Sequence, residues 1–199
     1  MKYNWIKNID FDLPDLLSIF RIILAVILVI LAFFHLRTFF SWLLLVGLIT
    51  DWLDGFLARK NKQTSKHGAQ LDSMGDASIF LGAVIGIFLF FETDFFLNYK
   101  WLLVGAMALY FFQLGYAYWK FGKSSSFHTY SAKVAAFVQG AFLVCTSFFS
   151  PWEWLFFITL SMSILETLEE ISLLFIFKKP VTNVKGIYWV LKNGKENYS

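Results

Sequence analysis

Long apolar runs separated by short polar segments dominate the chain. The first run, Leu16 to His35, has the length of about 20 residues that a helix needs to cross a bilayer, and Arg21 is its only formally charged residue. Similar runs predict helices over residues 38–59, 67–91, 101–119, 127–149 and 152–177. The pattern therefore predicts an all-α fold, an integral membrane six-helix bundle that forms one domain over residues 13–178.

The two ends of the chain are more polar than the runs between them. Residues 1–12 alternate aromatic and aliphatic side chains with Lys2, Lys7 and Asp10, which predicts a short interfacial amphipathic segment. Residues 179–199 read as a polar tail. Most of the 17 Lys and Arg residues fall in these ends and in the loops after the second and fourth predicted helices. The positive-inside rule then places both termini in the cytoplasm, at the inner membrane.

The composition supports the same class of protein. Hydrophobic residues make up 58% of the chain, charged residues only 16%, and the mean hydropathy is +0.61. A soluble domain of this size needs more polar surface than that. The chain contains no basic run interleaved with aromatics, so the sequence does not indicate nucleic acid as a partner. The single cysteine, Cys145, excludes a cysteine metal site within one chain.

Four aspartates interrupt the apolar pattern where the second and third predicted helices approach the cytoplasmic side. Each carboxylate costs about 3 kcal/mol at membrane depth unless it is paired, bound to a metal or facing water. Asp51 and Asp54 share one stripe of the second helix, and Asp72 and Asp76 share one stripe of the third. A short loop joins these helices, so we expect antiparallel packing and convergence of all four carboxylates.

Carboxylate ligands without His or Cys suit hard divalent cations such as Mg²⁺ or Mn²⁺. Two such ions can clamp a diphosphate and stabilise charge on the attacking and leaving oxygens. Gly55, Ala58 and Gly68 leave room for a nucleotide beside the helix backbones, and Arg59 offers a planar fork to phosphate. The alternative is a structural network of buried ion pairs with Arg21, Arg59 and Lys133.

The full stretch reads Asp51-x2-Asp54-Gly55-x2-Ala58-Arg59-x8-Gly68-x3-Asp72-x3-Asp76. It resembles the signature of the CDP-alcohol phosphatidyltransferase family at all eight defined positions. The resemblance implies that Asp51, Asp54 and Asp72 are the main ligands of two metal ions and that Asp76 is both a ligand and the catalytic base. It also implies that the remaining four residues contact the CDP moiety, namely Gly55, Ala58, Arg59 and Gly68.

A second stretch upstream, Pro14-Asp15-x2-Ser18-x2-Arg21, is similar to a Pro-Asn-x2-Thr-x2-Arg pattern of the same family. Asp15 and Ser18 depart from that pattern, which leaves their contact with the nucleotide open. Two partners are open for Arg21. It either neutralises part of the aspartate cluster or pairs with a glutamate of the sixth predicted helix.

Two further groups of polar residues are candidates for the acceptor site. His128 and Lys133, at the start of the fifth predicted helix, are candidates to bind the phosphate of an acceptor or a lipid; the alternative is an interfacial histidine and a snorkelling lysine. Three glutamates share one face of the sixth predicted helix. They either line the acceptor pocket or balance Lys133 and Arg21, and they are Glu166, Glu169 and Glu170.

The resemblance implies an enzyme of phospholipid biosynthesis. It would transfer a phosphatidyl group from CDP-diacylglycerol to an alcohol, with glycerol-3-phosphate favoured over serine, and release CMP. It also implies a homodimer, since members of the family are commonly dimeric. Two alternatives are a UbiA-like metal-dependent prenyltransferase, which fits the chain length and aspartate spacing poorly, and a cation-coupled or proton-coupled transporter. The absence of internal repeats argues against the transporter.

Overall fold

The computed structural model describes residues 13–61, 66–91, 94–123 and 127–194, and every regular element within them is helical. The all-α prediction is therefore confirmed for this part of the chain. The predicted interfacial segment of residues 1–12 lies outside the described residues. In chain order the helices are α1 (Leu13–Phe33), α2 (Arg37–Asn61), α3 (Lys66–Phe90), α4 (Asp94–Asn98), α5 (Lys100–Phe121), α6 (Tyr130–Phe148), α7 (Glu153–Ile176) and α8 (Ile187–Asn193).

Three of the described helices are long and apolar enough to cross a membrane, and they are Asp15–Phe33, Lys100–Phe121 and Tyr130–Phe148. Arg37–Thr50 and Met74–Phe90 are shorter apolar helices. Many large apolar side chains are exposed along these helices. A soluble protein rarely exposes such large apolar patches to water. These features indicate a multi-pass membrane protein. The count of six spans stays a prediction.

Contacts divide the chain into two compact units. The first contains Met1–Glu92 together with Ser147–Phe149, and the second contains Thr93–Thr146 together with Ser150–Ser199. The aspartate signature belongs to the first unit. The candidate acceptor residues and the glutamates belong to the second.

The core of the first unit is the contact between α1 and α3. On α1 the side chains of Ser18, Arg21, Leu28 and Ala32 are buried, at helical spacings of three, seven and four residues. These positions form one stripe of the helix, as residues three or four apart do. The stripe packs on buried residues of α3, which include Ile79, Ala83 and Ile87.

Glycines on α3 let the two backbones approach. A Cβ added at Gly75 would lie 3.1 Å from the carbonyl oxygen of Ser18, and one added at Gly82 would lie 3.0 Å from that of Ala25. Small residues at a helix interface allow this backbone contact in membrane proteins. Gly86 has a different neighbour, because an added Cβ would clash with the ring of Phe40 on α2.

Two polar contacts link α5 and α7 in the second unit. Gln113 Nε2 donates to Glu170 Oε2 at 2.6 Å, and both side chains are buried. Lys120 Nζ donates to the carbonyl oxygen of Leu174 at 2.6 Å near the C-terminal ends of both helices. An isolated amide in an apolar helix is stabilised by such an interhelical hydrogen bond.

The segment after α7 is more structured than a polar tail. Val184 and Val190 are buried in one cluster with Phe127, Leu173 and Phe177. Residues 187–193 of this segment form α8. A few apolar positions in a lysine-rich segment do not identify the residues that they pack against, so the sequence did not reveal this packing.

Candidate functional site

The signature residues occupy two consecutive helices of the first unit. Asp51, Asp54, Gly55, Ala58 and Arg59 lie in the C-terminal half of α2, and Gly68, Asp72 and Asp76 lie in the N-terminal half of α3. The two helices are in contact. The structure therefore places all eight positions on neighbouring elements. The structure describes the side chain of only one of these positions, Asp76, so the convergence of the other seven stays a prediction; they are Asp51, Asp54, Gly55, Ala58, Arg59, Gly68 and Asp72.

Asp76 is the signature residue whose surroundings are described. Its Oδ1 accepts a hydrogen bond from Nη1 of Arg21, and the two side chains form an ion pair. The Arg21 side chain is fully buried, whereas the Asp76 side chain is 46% exposed. Of the two partners open for Arg21, the structure therefore selects the aspartate cluster.

Ser18 completes this arrangement on α1. Arg21 Nη2 donates to Ser18 Oγ at 3.2 Å, and Ser18 is buried one helical turn before Arg21. The hydroxyl therefore helps to orient the guanidinium toward Asp76. This gives Ser18 a role in positioning a side chain of the site, whereas the sequence pattern had raised the question of nucleotide contact.

Gly75, next to Asp76, is a close-packing position that sequence reasoning missed. A Cβ there would lie 3.1 Å from the Ser18 backbone oxygen and 3.4 Å from Arg21 Nε. The absence of a side chain at Gly75 therefore brings α1 close enough for Arg21 to reach Asp76. The signal that could have found it is the pair Gly75 and Gly82, two helical turns apart on an apolar helix.

The arrangement gives Asp76 two properties that a metal ligand or a proton acceptor needs. The ion pair with a buried guanidinium fixes the position of the carboxylate, because bringing Arg21 out of water is favourable only with charged or hydrogen-bonding partners. The exposure of Asp76 keeps the carboxylate accessible. A fixed, accessible carboxylate can bind a cation or take a proton from a bound hydroxyl.

His128 and Lys133 lie near the N-terminus of α6. Both side chains are exposed, and His128 has a positive φ of 52°. Lys133 Nζ lies 5.5 Å from the ring centroid of Tyr130. Both groups are accessible to an anionic ligand, and their role in acceptor binding stays a prediction.

Two of the three candidate glutamates on α7, Glu169 and Glu170, have hydrogen-bond partners on other helices. Glu169 Oε2 accepts a hydrogen bond from Ser131 Oγ, and Glu169 Oε1 accepts one from the backbone N–H of Ile187 at 2.8 Å. Glu170 is held by Gln113. These contacts favour a role in joining α7 to α5, α6 and α8 over a role in lining the acceptor pocket.

The sequence matches the CDP-alcohol phosphatidyltransferase family over residues 11–166. The chain belongs to this family. The match includes α1 to α6 and the first half of α7, so the Arg21–Asp76 pair and the whole signature lie inside the family domain. No solved structure matches the chain.

Several curated relatives match a shorter part of the chain. Proteins named CDP-diacylglycerol--glycerol-3-phosphate 3-phosphatidyltransferase are 40% identical over 78 residues in Haemophilus influenzae and 38% identical over 84 residues in Wigglesworthia glossinidia brevipalpis. The first alignment covers 38% of this chain and 42% of the relative, and the second covers 41% and 44%. A relative of the same name in Escherichia coli (strain K12) is 39% identical over 72 residues, 34% of this chain and 38% of its own length. The alignments therefore span less than half of these relatives.

Proposed function

We propose that this membrane protein transfers a phosphatidyl group from CDP-diacylglycerol to the hydroxyl of a small alcohol, releases CMP and so acts in phospholipid biosynthesis. The observation that carries the proposal is the eight-residue signature on α2 and α3, inside a region that matches the family. Neither a prenyltransferase nor a transporter accounts for that match.

Glycerol-3-phosphate is the acceptor that we favour, with serine second. The three relatives described above have names that specify glycerol-3-phosphate as the acceptor. The exposed side chains of His128 and Lys133 offer positive charge and hydrogen-bond donors that suit an acceptor phosphate.

The donor set fits two Mg²⁺ or Mn²⁺ ions. Asp51, Asp54, Asp72 and Asp76 supply only carboxylate oxygens, the ligands that hard divalent cations prefer, and Asp76 is exposed enough to be reached. When bound, the ions would offset negative charge on the diphosphate of CDP-diacylglycerol. Gly55, Ala58, Arg59 and Gly68 would contact the CDP moiety.

Asp76 has the role of proton acceptor in this proposal. The acceptor hydroxyl gives its proton to the Asp76 carboxylate while its oxygen forms a bond to the lipid-linked phosphorus. The bond from that phosphorus to the bridging oxygen of the diphosphate breaks, and CMP leaves with the bonding electrons. Arg21 holds the carboxylate in place through the ion pair, and Ser18 orients the guanidinium.

The position in the cell follows from the charge distribution. Lysines and arginines concentrate in both ends of the chain and in residues 60–67 and 120–126, so we place the site and both termini on the cytoplasmic side of the inner membrane. CDP-diacylglycerol would then enter from the surrounding bilayer. A homodimer is part of the proposal as the assembly that family resemblance implies.

Release of CMP by the purified, reconstituted protein tests the proposal. We expect release that requires CDP-diacylglycerol, an alcohol acceptor and Mg²⁺ or Mn²⁺, with glycerol-3-phosphate the best of a panel of labelled alcohols. Excess EDTA should abolish it. Full turnover in EDTA would contradict the metal assignment, and failure of every alcohol with CDP-diacylglycerol would contradict the transferase itself.

A further inference from the structure

The end of the described chain folds back on the second unit through three backbone contacts. The N–H of Val184 donates to the carbonyl oxygen of Phe127 at 2.8 Å, and the carbonyl oxygen of Lys185 accepts from the N–H of Tyr130 at 3.2 Å. The third contact joins the N–H of Ile187 to the Glu169 carboxylate. We refer to residues 178–194 as the C-terminal clasp.

Apolar packing and backbone geometry hold the inner side of the clasp. Val184 and Val190 are buried among Phe127, Leu173 and Phe177. Gly186 has a φ of 148°, and a Cβ there would lie 2.9 Å from Glu169 Oε1. A side chain at this position would be strained and would disturb the hydrogen bond from Ile187 to Glu169. The clasp therefore packs at one specific position on the unit.

The clasp packs against the ends of helices that are long and apolar enough to span a membrane. Phe127 precedes α6 by three residues, and the clasp begins directly after Phe177, which follows the end of α7. Ala117 in the last turns of α5 belongs to the same buried cluster. Because α5 and α6 are long and apolar enough to span a bilayer, a segment seated on their ends lies at the level of the lipid headgroups.

The outer side of the clasp combines apolar and basic groups. On α8, Tyr188 is 62% exposed and Leu191 is 72% exposed, whereas Val190 is buried. The clasp contains no Asp or Glu, and all of its lysines are exposed; they are Lys178, Lys179, Lys185 and Lys192. Exposed aromatic and aliphatic side chains beside lysines are typical of segments that bind the surface of an anionic membrane.

We propose that the C-terminal clasp is a docking surface for anionic lipid headgroups. Tyr188 and Leu191 enter the boundary between headgroups and acyl chains, and the four lysines bind lipid phosphates. The charge of the clasp selects this occupant, because its four exposed lysines are complementary to a negative leaflet. The clasp shares no residue with the aspartate signature, so the proposal stands independently of the transfer reaction.

Amide hydrogen exchange of residues 184–193 tests the proposal with the full chain in nanodiscs. We compare discs of phosphatidylcholine alone with discs that also contain phosphatidylglycerol. A lysine near an anionic surface contributes up to about a fivefold factor in binding. We therefore expect exchange in the clasp to slow severalfold in the anionic discs. Substitution of the four clasp lysines by glutamine should abolish this slowing.

Matched variants separate lipid binding from loss of fold. Lys100→Gln combined with Lys123→Gln removes two exposed lysines of the same unit outside the clasp and should keep the lipid effect. Leu191→Ser changes an exposed side chain, so it should melt like the native chain in detergent yet lose part of the slowing. Equal exchange in both discs, or slowing that survives in the four-lysine variant, would overturn the proposal. If protection from exchange increases with the number of protein copies per disc and does not depend on lipid charge, the proposal is also overturned. The surface would then be a contact between two chains.

Discussion

Arg21 of α1 forms an ion pair with Asp76 of α3, so a helix outside the signature positions the residue that we propose as proton acceptor. The pair also complicates the simplest test of that residue. Replacing Asp76 deprives a buried guanidinium of a charged partner, which costs stability as well as catalysis. Activity has therefore to be compared with binding and with stability in each variant.

Amide substitutions separate a base from a pure ligand. Asp51→Asn and Asp54→Asn remove ligand charge, so the affinity for CDP-diacylglycerol with Mg²⁺ should fall together with turnover. Asp76→Asn should keep much of that affinity and lose about 10² to 10⁴ in turnover, the usual contribution of a positioned proton acceptor. Calorimetry for binding and CMP release for turnover measure the two quantities. Near-normal turnover, or an equal loss of binding, would remove Asp76 from the role of base.

Substitution of Arg21 tests its positioning role. Arg21→Met should lower the free energy of unfolding by about 1 to 3 kcal/mol, less than for a fully buried pair because Asp76 is half exposed. It should also lower kcat with little change in the KM for CDP-diacylglycerol. Arg21→Lys keeps the charge without the fork and should recover part of kcat. A purely structural arginine would instead show stability loss with unchanged kcat in the folded fraction.

Two glycines of α3 offer a matched comparison. Gly75→Ala and Gly82→Ala each place a Cβ about equally close to the α1 backbone, 3.1 Å from Ser18 O and 3.0 Å from Ala25 O. Each should therefore destabilise the chain by about 1 to 3 kcal/mol, the usual cost of overpacking. Only Gly75→Ala should also reduce CMP release per folded molecule, because it moves α1 beside the Arg21–Asp76 pair. Equal activities for the two variants would argue against a role for this contact in positioning the site.

Lys133 allows a test of acceptor binding. If its ammonium binds the acceptor phosphate, Lys133→Ala should raise the KM for glycerol-3-phosphate severalfold and leave the KM for CDP-diacylglycerol nearly unchanged. Lys123→Ala is the control, since Lys123 is also an exposed lysine of the second unit. A rise in both KM values would mark Lys133 as a structural residue.

The positions of the helices and the candidate chemistry were predictable from local patterns. Apolar runs of membrane length located the long helices to within a few residues, because backbone groups in a bilayer must be satisfied within the helix itself. The spacing from Asp51 to Asp76 identified the signature without any knowledge of packing. Both are properties of neighbouring residues, so a single sequence carries them.

Only the tertiary structure decided which distant groups meet. Arg21 had two open partners, and its pairing with Asp76 depends on the face that α1 presents to α3. That face lies against α3 at Gly75 and Gly82, and although the spacing of these glycines marks a face of α3, it does not say which residues of α1 pack there. The packing of Val184 and Val190 likewise depends on apolar side chains from other helices and from the residues at their ends. These contacts join residues far apart in the chain, and their energy arises from the complementarity of surfaces that exist only once the helices have packed.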